Sequence, residues 1–215
     1  MATWVFEPGH TAVEFRARHM MVCWVRGHFK DVHGSLEFDP DKPTQLAIKA
    51  IIQVEKLWSG EPHRDEHLRS KDFLDAARHP AATFKSTSSK RVGAVDYEVT
   101  GILSIRGVNR EIVLNMHYLG TWKTPYWTDA GAAGPVARLG FVGETRINRH
   151  DLQVSWIGQL ENGGAVVGDD VLIKVDVEAL QESELKRALA KREKGRNQSN
   201  GSPLGNPLLI PCHSK

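Results

Sequence analysis

The sequence predicts an all-β fold, a sandwich or barrel of about eight to ten antiparallel strands with one short helical insertion and a helix near the C-terminus. Three observations carry this. Apolar residues recur with a period of two over most of the chain, the pattern of sheet with one buried and one wet face. Clusters of Pro, Gly, Asn and Asp separate the alternating runs. Alternation lapses in one charged internal stretch and again after Leu180, where helix-forming residues take over.

The elements follow in order. From His10 to Met21, HTAVEFRARHMM places Val13, Phe15 and Ala17 on one face and Glu14, Arg16 and Arg18 on the other. The inward row ends on His19. QLAIKAIIQVE presents Leu46, Ile48, Ala50, Ile52 and Val54, and DYEVTGILSIRG presents Tyr97, Val99, Leu103 and Ile105, with Gly101 between them. VNREIVLNMHY aligns Ile112, Leu114, Met116 and Tyr118; LGFVGETRI aligns Leu139, Phe141 and Ile147; VLIKVDVEA aligns Val171, Ile173, Val175, Val177 and Ala179. Rows this long fix register, because a slip of one residue turns a whole row into solvent.

Asp39-Pro40-Asp41-Lys42-Pro43 breaks one pair of strands, Arg106-Gly107-Val108-Asn109 marks a tight reversal, and Asn162-Gly163-Gly164 a hairpin connection. HRDEHLRSKDFLDAARHP, His63 to Pro80, reads as two short helical pieces ended by the steric demand of Pro80 on its predecessor, with an apolar side that covers one end of the sheet. Lys123 to Ala137, KTPYWTDAGAAGPVA, reads as a long loop carrying Tyr126 and Trp127. ESELKRALAKREKGR is helix-forming, with Leu185 and Leu189 four apart. The expected plan is a β domain over 1–180, a charged helix over 181–196, and an aperiodic tail over 197–215 that is disordered or extraneous to the fold.

A chain of 215 residues with 40% hydrophobic and 25% charged content can bury one sizeable core. Its formal charge of +2 leaves no overall electrostatic footprint for nucleic acid or a membrane surface. Two cysteines, Cys23 and Cys212, do not make a disulfide framework or a cysteine-rich metal site. The opening MATWVFEPGH has neither a basic start nor a long apolar run, and no window reaches the roughly 18 apolar residues of a spanning helix, so the cytoplasm is the expected compartment. There is no G-x-S-x-G elbow, P-loop or dinucleotide fingerprint, and no enzymatic activity is expected.

Several blocks, in order, carry a family resemblance: WVFEPGHTAVEFRARHMMVCWVRGHF, RDEHLRSKDFLDAARHPAATFKS, VTGILSIRGVNREIVL, INRHDLQVSW and GDDVLIKVDVEAL. Together they resemble the YceI-like, polyisoprenoid-binding family from about Thr3 to Leu180. The matching residues include His10, Phe15, His19, Gly27, Phe29, Arg64, Asp65, His67, Phe73, Pro80, Gly101, Arg106, Gly107, Arg149, Asp151 and Trp156. The resemblance implies an extended, lipocalin-like antiparallel β-barrel holding a polyprenyl chain, isoprenoid quinone or related lipid along its axis. After Asp151 the family tends to carry an aromatic and a glycine, where this chain has Leu152 and Gln153.

A barrel of about eight strands is either filled by its own side chains or just able to hold one small ligand. If the inward rows stop short of one another, the candidate ligand-binding residues are Val13, Phe15, His19, Phe29, Ile48, Ile52, Leu103, Ile112, Leu114, Met116, Phe141 and Trp156. Met116, with Met20 or Met21, suits a wall that adapts to a flexible chain. His19, closing an inward row, is a candidate hydrogen-bond partner for a quinone oxygen or alcohol at a polar mouth, the alternative being a histidine satisfied by a backbone carbonyl or by Asp65. A second candidate mouth lies at the Tyr126–Trp127 loop. At about 0.3 kcal/mol per heavy atom, a chain of about forty carbons would gain roughly 12 kcal/mol, near-nanomolar binding.

Other motifs point elsewhere. His63 and His67 lie one helical turn apart, as helical zinc sites begin, but no third ligand is identifiable, and a surface or capping role is expected, with no metal or resident cofactor. Arg64, Asp65, Arg106 and Arg149 are expected to form ion pairs pinning the helical segment to the barrel; the alternative is an arginine at the mouth meeting a phosphate head group. Rival readings are an enzyme acting on a lipid or through a metal at the histidines, and an interaction module docking a second copy at the barrel rim or the C-terminal helix.

Overall fold

The computed structural model describes residues 1–128, 131–161 and 163–199, and in it the alternating runs pair into one antiparallel sheet that closes on itself. Among the described residues the strands are β1 (Ala2–Phe6), β2 (Ala12–His19), β3 (Cys23–Phe29), β4 (Val32–Phe38), β5 (Leu46–Gln53), β6 (Leu57–Trp58), β7 (Ala81–Arg91), β8 (Asp96–Ile105), β9 (Val108–Thr128), β10 (Gly131–Asn148) and β11 (Val167–Gln181). Eight of these, in the order β1-β4-β5-β7-β8-β9-β10-β11, make the barrel, which the pairing of β1 with β11 closes. A closed sheet has no free edge along its ring, which removes a template for aggregation.

β11 serves two partners. Residues 179–181 pair with β1, while residues 167–176 pair with β2, from which β3 and β6 continue as a side sheet. Between β1 and β2 the chain steps sideways, and the buried Thr11 hydroxyl fills the interrupted ladder: it donates to Glu178 O at 3.1 Å and accepts from Glu178 N at 3.3 Å. The sequence-predicted reversal at Arg106–Gly107 is a two-residue hairpin loop with φ of 53° and 74°, joining the paired Ile105 and Val108.

Two expectations need correction. The segment Lys123–Ala137 is not a loop but the far end of the β9–β10 hairpin, paired as far as Gly131 with Thr128. Its Thr, Tyr, Trp and Val residues are strong strand formers, Pro125 and Pro135 share one rung, and a bulge between Ala132 and Gly134 absorbs the glycine at φ 103°. The helical insertion is one helix, not two: α1 (Pro62–Arg69), capped by Glu61, which accepts from His63 N and Arg64 N. The second piece is a series of turns, in which Asp75 at φ 49° leaves the helical region.

The C-terminal helix α2 (Glu182–Ser199) runs three residues past the expected boundary at 196; residues 200–215 of the expected tail lie outside the described residues. It docks on the barrel through Leu185 and Ala188, against Val136 and Leu180, while Leu189 stays 38% exposed. Among the described residues no helix is long and apolar enough to cross a membrane.

Candidate functional site

The inward rows meet at one end of the barrel and part at the other. At the end carrying the tip of the β9–β10 hairpin, Phe38, Tyr97, Tyr118 and Phe141 interlock with ring centroids 4.9 to 6.1 Å apart. Trp4 and Tyr97 complete this plug, donating to Phe38 O and Pro43 O respectively, each at 3.0 Å, so their polar atoms are satisfied although buried. Beyond Met116 and Val175 the rows separate around a cavity of about 200 Å³.

Nine of the twelve residues expected to line a ligand site surround it: Val13, Phe15, Phe29, Ile48, Ile52, Leu103, Ile112, Leu114 and Met116. Two glycines make room for their neighbours. A Cβ at Gly143 would lie 2.3 Å from Met116 Sδ, and one at Gly101 would lie 2.5 Å from the Phe84 ring, so both side chains lie flat along the wall. The other three expected residues are placed elsewhere. Phe141 belongs to the plug, fully buried. His19 sits past Ala17 at the end of β2, outside the lining. Trp156 packs on His67 and Phe73, with centroids 5.2 and 5.4 Å away, one layer outside the cavity.

The sequence reading expected the 63–80 segment to cover one end of the sheet, and part of the cover of the open end is that segment. Leu68, Phe73 and Leu74 come over it from α1 and the following turns, and Leu152 and Val154 from the turn after β10. The first group was foreshadowed by the apolar side of the 63–80 segment; the second follows no period and gave no signal.

The expected ion pairs are mostly bonds to backbone. Arg64 donates from Nε to Ser59 Oγ and from its terminal nitrogen to Ser59 O, each at 2.7 Å, while the buried Asp65 carboxylate accepts from Ser59 N at 2.9 Å and from its hydroxyl. Arg106 donates to Phe73 O. These bonds do pin the cover to the barrel, because desolvated carbonyls and amides, rather than opposite charges, need partners there.

Arg149 is 4% exposed and donates to the carbonyls of Gly168 (3.0 Å), Val154 (2.7 Å), Trp156 (2.9 Å) and Val167 (3.2 Å), with Asp169 3.7 Å away. Burial lowers its pKa, and Asp169 opposes that shift. With its donors engaged by carbonyls, this guanidinium at the cavity wall has little left for a phosphate. Among the described residues, Thr11 and Thr145 are the only others that bring side-chain oxygen or nitrogen to the lining, and it contains no His, Cys, Ser, Lys, Asp or Glu.

A lateral opening is written into the pairing. β9 and β10 are paired from Asn115 and Glu144 toward the plug, but residues 108–114 and 145–148 separate, each keeping only its other neighbour. The cleft between them carries Arg110, Glu111, Asn115, Asn148 and Asp151 outside and shares Ile112, Thr145, Ile147 and Leu152 with the cavity. Neither His19 nor Tyr126 and Trp127 belong to the cavity or to this cleft, and the plug lies between the cavity and the Tyr126–Trp127 end.

His63 is exposed, and His67 is held by Asp72 (3.2 Å) and by the Phe73 and Trp156 rings. Elsewhere among the described residues Glu7, His10 and Glu178 bring ligand-type atoms within 4.8 Å of one another. There His10 Nδ1 is 2.7 Å from Glu7, and Glu178 pairs with Arg138, a network at the step between β1 and β2.

Residues 4–179 match the YceI-like domain. A UPF0312 protein of Azotobacter vinelandii is 34% identical over 170 residues, 79% of this chain and 82% of the relative. Among solved structures, Burkholderia cenocepacia BcnA superposes with a TM-score of 0.64 at 24% identity, over 80% of this chain and 98% of that one. A polyisoprenoid binding domain from Saccharophagus degradans, described as implicated in plant cell wall breakdown, superposes with a TM-score of 0.57 at 15% identity, over 84% and 99%.

Proposed function

The chain belongs to the YceI-like domain family, and from that premise we propose that its barrel binds an apolar ligand non-covalently, for carriage or storage, with the hydrocarbon in the cavity and the polar end at the β9–β10 cleft. One observation carries the reading: the cavity wall is apolar almost throughout, and the Thr11 hydroxyl and the Arg149 guanidinium within it are engaged by backbone carbonyls. Such a space is poorly wetted and takes up hydrocarbon. The polyisoprenoid description of the Saccharophagus domain favours a prenyl lipid or isoprenoid quinone. Binding rather than catalysis is favoured because, among the described residues, the cavity lining holds no His, Cys, Ser, Lys, Asp or Glu.

Cavity size refines the expected ligand. An apolar cavity of about 150 Å³ holds benzene, so about 200 Å³ accommodates on the order of ten carbons without rearrangement. The remainder of a longer chain must widen the cavity or emerge through the cleft.

The test is displacement of a fluorescent hydrocarbon probe by prenyl alcohols, with native mass spectrometry of gently purified protein for co-purifying lipid. Leu114→Trp fills the cavity from the wall and is expected to weaken binding by at least about tenfold while the barrel stays folded. Unchanged binding in a folded Leu114→Trp protein would show that the cavity is not the site.

A further inference from the structure

We propose that the β2–β3 hairpin tip is a docking site for an anionic phospholipid membrane surface. The tip residues Met20, Met21 and Val22 are 43%, 51% and 81% exposed. Met20 N donates to Val166 O and Val166 N to Gly158 O, which brings the exposed Ile157 to the same end of the molecule. Met20 and Met21 both have positive φ, 47° and 60°, in a turn where Asn and Gly are the usual occupants. The fold gains nothing from bulky apolar side chains in that conformation, so the tip is shaped by something other than its own stability.

Charge identifies the occupant. Behind the tip, Arg18 faces Trp24 across the hairpin, with its guanidinium 4.9 Å from the indole, and on the next rung of the same face Arg16 lies directly opposite Arg26. Like charges on one rung repel, and among the described residues none of the three arginines has a carboxylate within ion-pair distance. Glu14 stands a rung farther from the tip, opposite His28; Asp169 is engaged by His150 and Arg149, and Asp170 by Arg146.

The order along the hairpin is therefore oily tip, then tryptophan with arginine, then an arginine pair, on rungs about 7 Å apart at roughly 3.3 Å per residue. That matches the depth profile of a bilayer: hydrocarbon, aromatic belt, anionic head groups. An acidic protein partner would satisfy the arginines but gives no reason for this axial order. The inner face of the same strand, Phe15 and Ala17, lines the cavity, so docking sets the cavity's covered end against the lipid.

Full-length protein is tested by co-sedimentation with phosphatidylcholine vesicles, with and without about one-third phosphatidylserine. Wild type is expected on the anionic vesicles, and less of it as salt rises. Met20→Asn/Met21→Gly installs residues that the turn prefers; it is expected to keep or raise Tm while membrane partitioning falls at least about tenfold. Each of Arg16→Gln, Arg18→Gln and Arg26→Gln is expected to reduce binding to anionic vesicles about fivefold, with little change on neutral ones. Failure of wild type to sediment with anionic vesicles overturns the proposal, as does full binding by the folded Met20→Asn/Met21→Gly variant or by Arg16→Gln, Arg18→Gln and Arg26→Gln combined in one chain. Retention on immobilised polyglutamate without vesicle binding would assign the face to an acidic protein and equally overturn it. Vesicle binding needs no ligand in the cavity, so this outcome is separate from that of the displacement assay.

Discussion

At Gln153 a side chain stands where the family resemblance leads one to expect glycine, and the backbone is left-handed there. Its φ is 57°, in the left-handed region, where it ends the turn Arg149–Leu152. Leu152, where the resemblance leads one to expect an aromatic, is 1% exposed and contributes to the cavity wall. The substitution pair thus keeps the turn but holds a non-glycine residue in a conformation costing about 1 kcal/mol. Gln153→Gly is expected to raise stability by about 0.5–1 kcal/mol in chemical denaturation, the relief of strain being partly offset by the freer unfolded chain; a loss of stability would show that the Gln153 side chain makes a contact worth more than the strain. Serines illustrate a role that alternation hides. Ser86 and Ser89 accept from Ile48 N and Leu46 N, at 2.8 and 2.9 Å, and extend the ladder where β5 and β7 no longer pair through backbone.

At the scale of elements, α2 is attached to the barrel by a small apolar contact and one well-placed carboxylate. Glu184 accepts from Ala137 N at 2.8 Å and from Lys123 at 3.3 Å, and the bond from Ala137 is the main cause holding its pKa below the usual glutamate value. A carboxylate with a lowered folded pKa contributes stability that is complete above the unfolded pKa and is lost as pH falls through the folded one. Docking of α2 is therefore expected to be constant from neutral pH down to about the ordinary glutamate pKa and to weaken below it. Hydrogen exchange of the α2 amides follows this directly. In Glu184→Gln the acid-dependent step should shrink, and a profile identical to wild type would locate the titrating group elsewhere. The same scale explains the misread loop: propensity favoured strand over 123–137, but Pro and Gly signals outweighed it until the partner strand was in place.

For the whole molecule, the division into a plugged end and a hollow end governs what binding can look like. If the cavity takes about ten carbons and the rest of the chain lies in the cleft, affinity should climb steeply from short prenyl alcohols to about ten carbons and then flatten. Competition titration over a homologous series measures this; a constant increment per isoprene unit up to forty carbons would mean that the cavity widens along the axis. Saturation at about a hundredfold over Kd should stabilise the fold by about 2.7 kcal/mol, readable as a rise in Tm of several degrees.

The all-β class, the inward rows of β2, β5, β8 and β11 and of parts of β9 and β10, the Arg106–Gly107 reversal and nine of the residues that line the cavity were legible in the sequence, because period-two rows and turn chemistry are local and each residue reports its own face. The row containing Phe141 looked the same as those containing Met116 and Leu114. Only the closed barrel decided that Phe38, Tyr97, Tyr118 and Phe141 interlock into a plug at one end, while at the other the rows, phenylalanines included, stop short of one another around a cavity. The splitting of β11 between two partners, the separation of β9 from β10, and the gathering of three arginines behind an apolar tip in a chain of net charge +2 were likewise decided there. Alternation says which way a side chain points; how far it is from the side chain opposite depends on strand order and closure, which only the whole set of pairings defines.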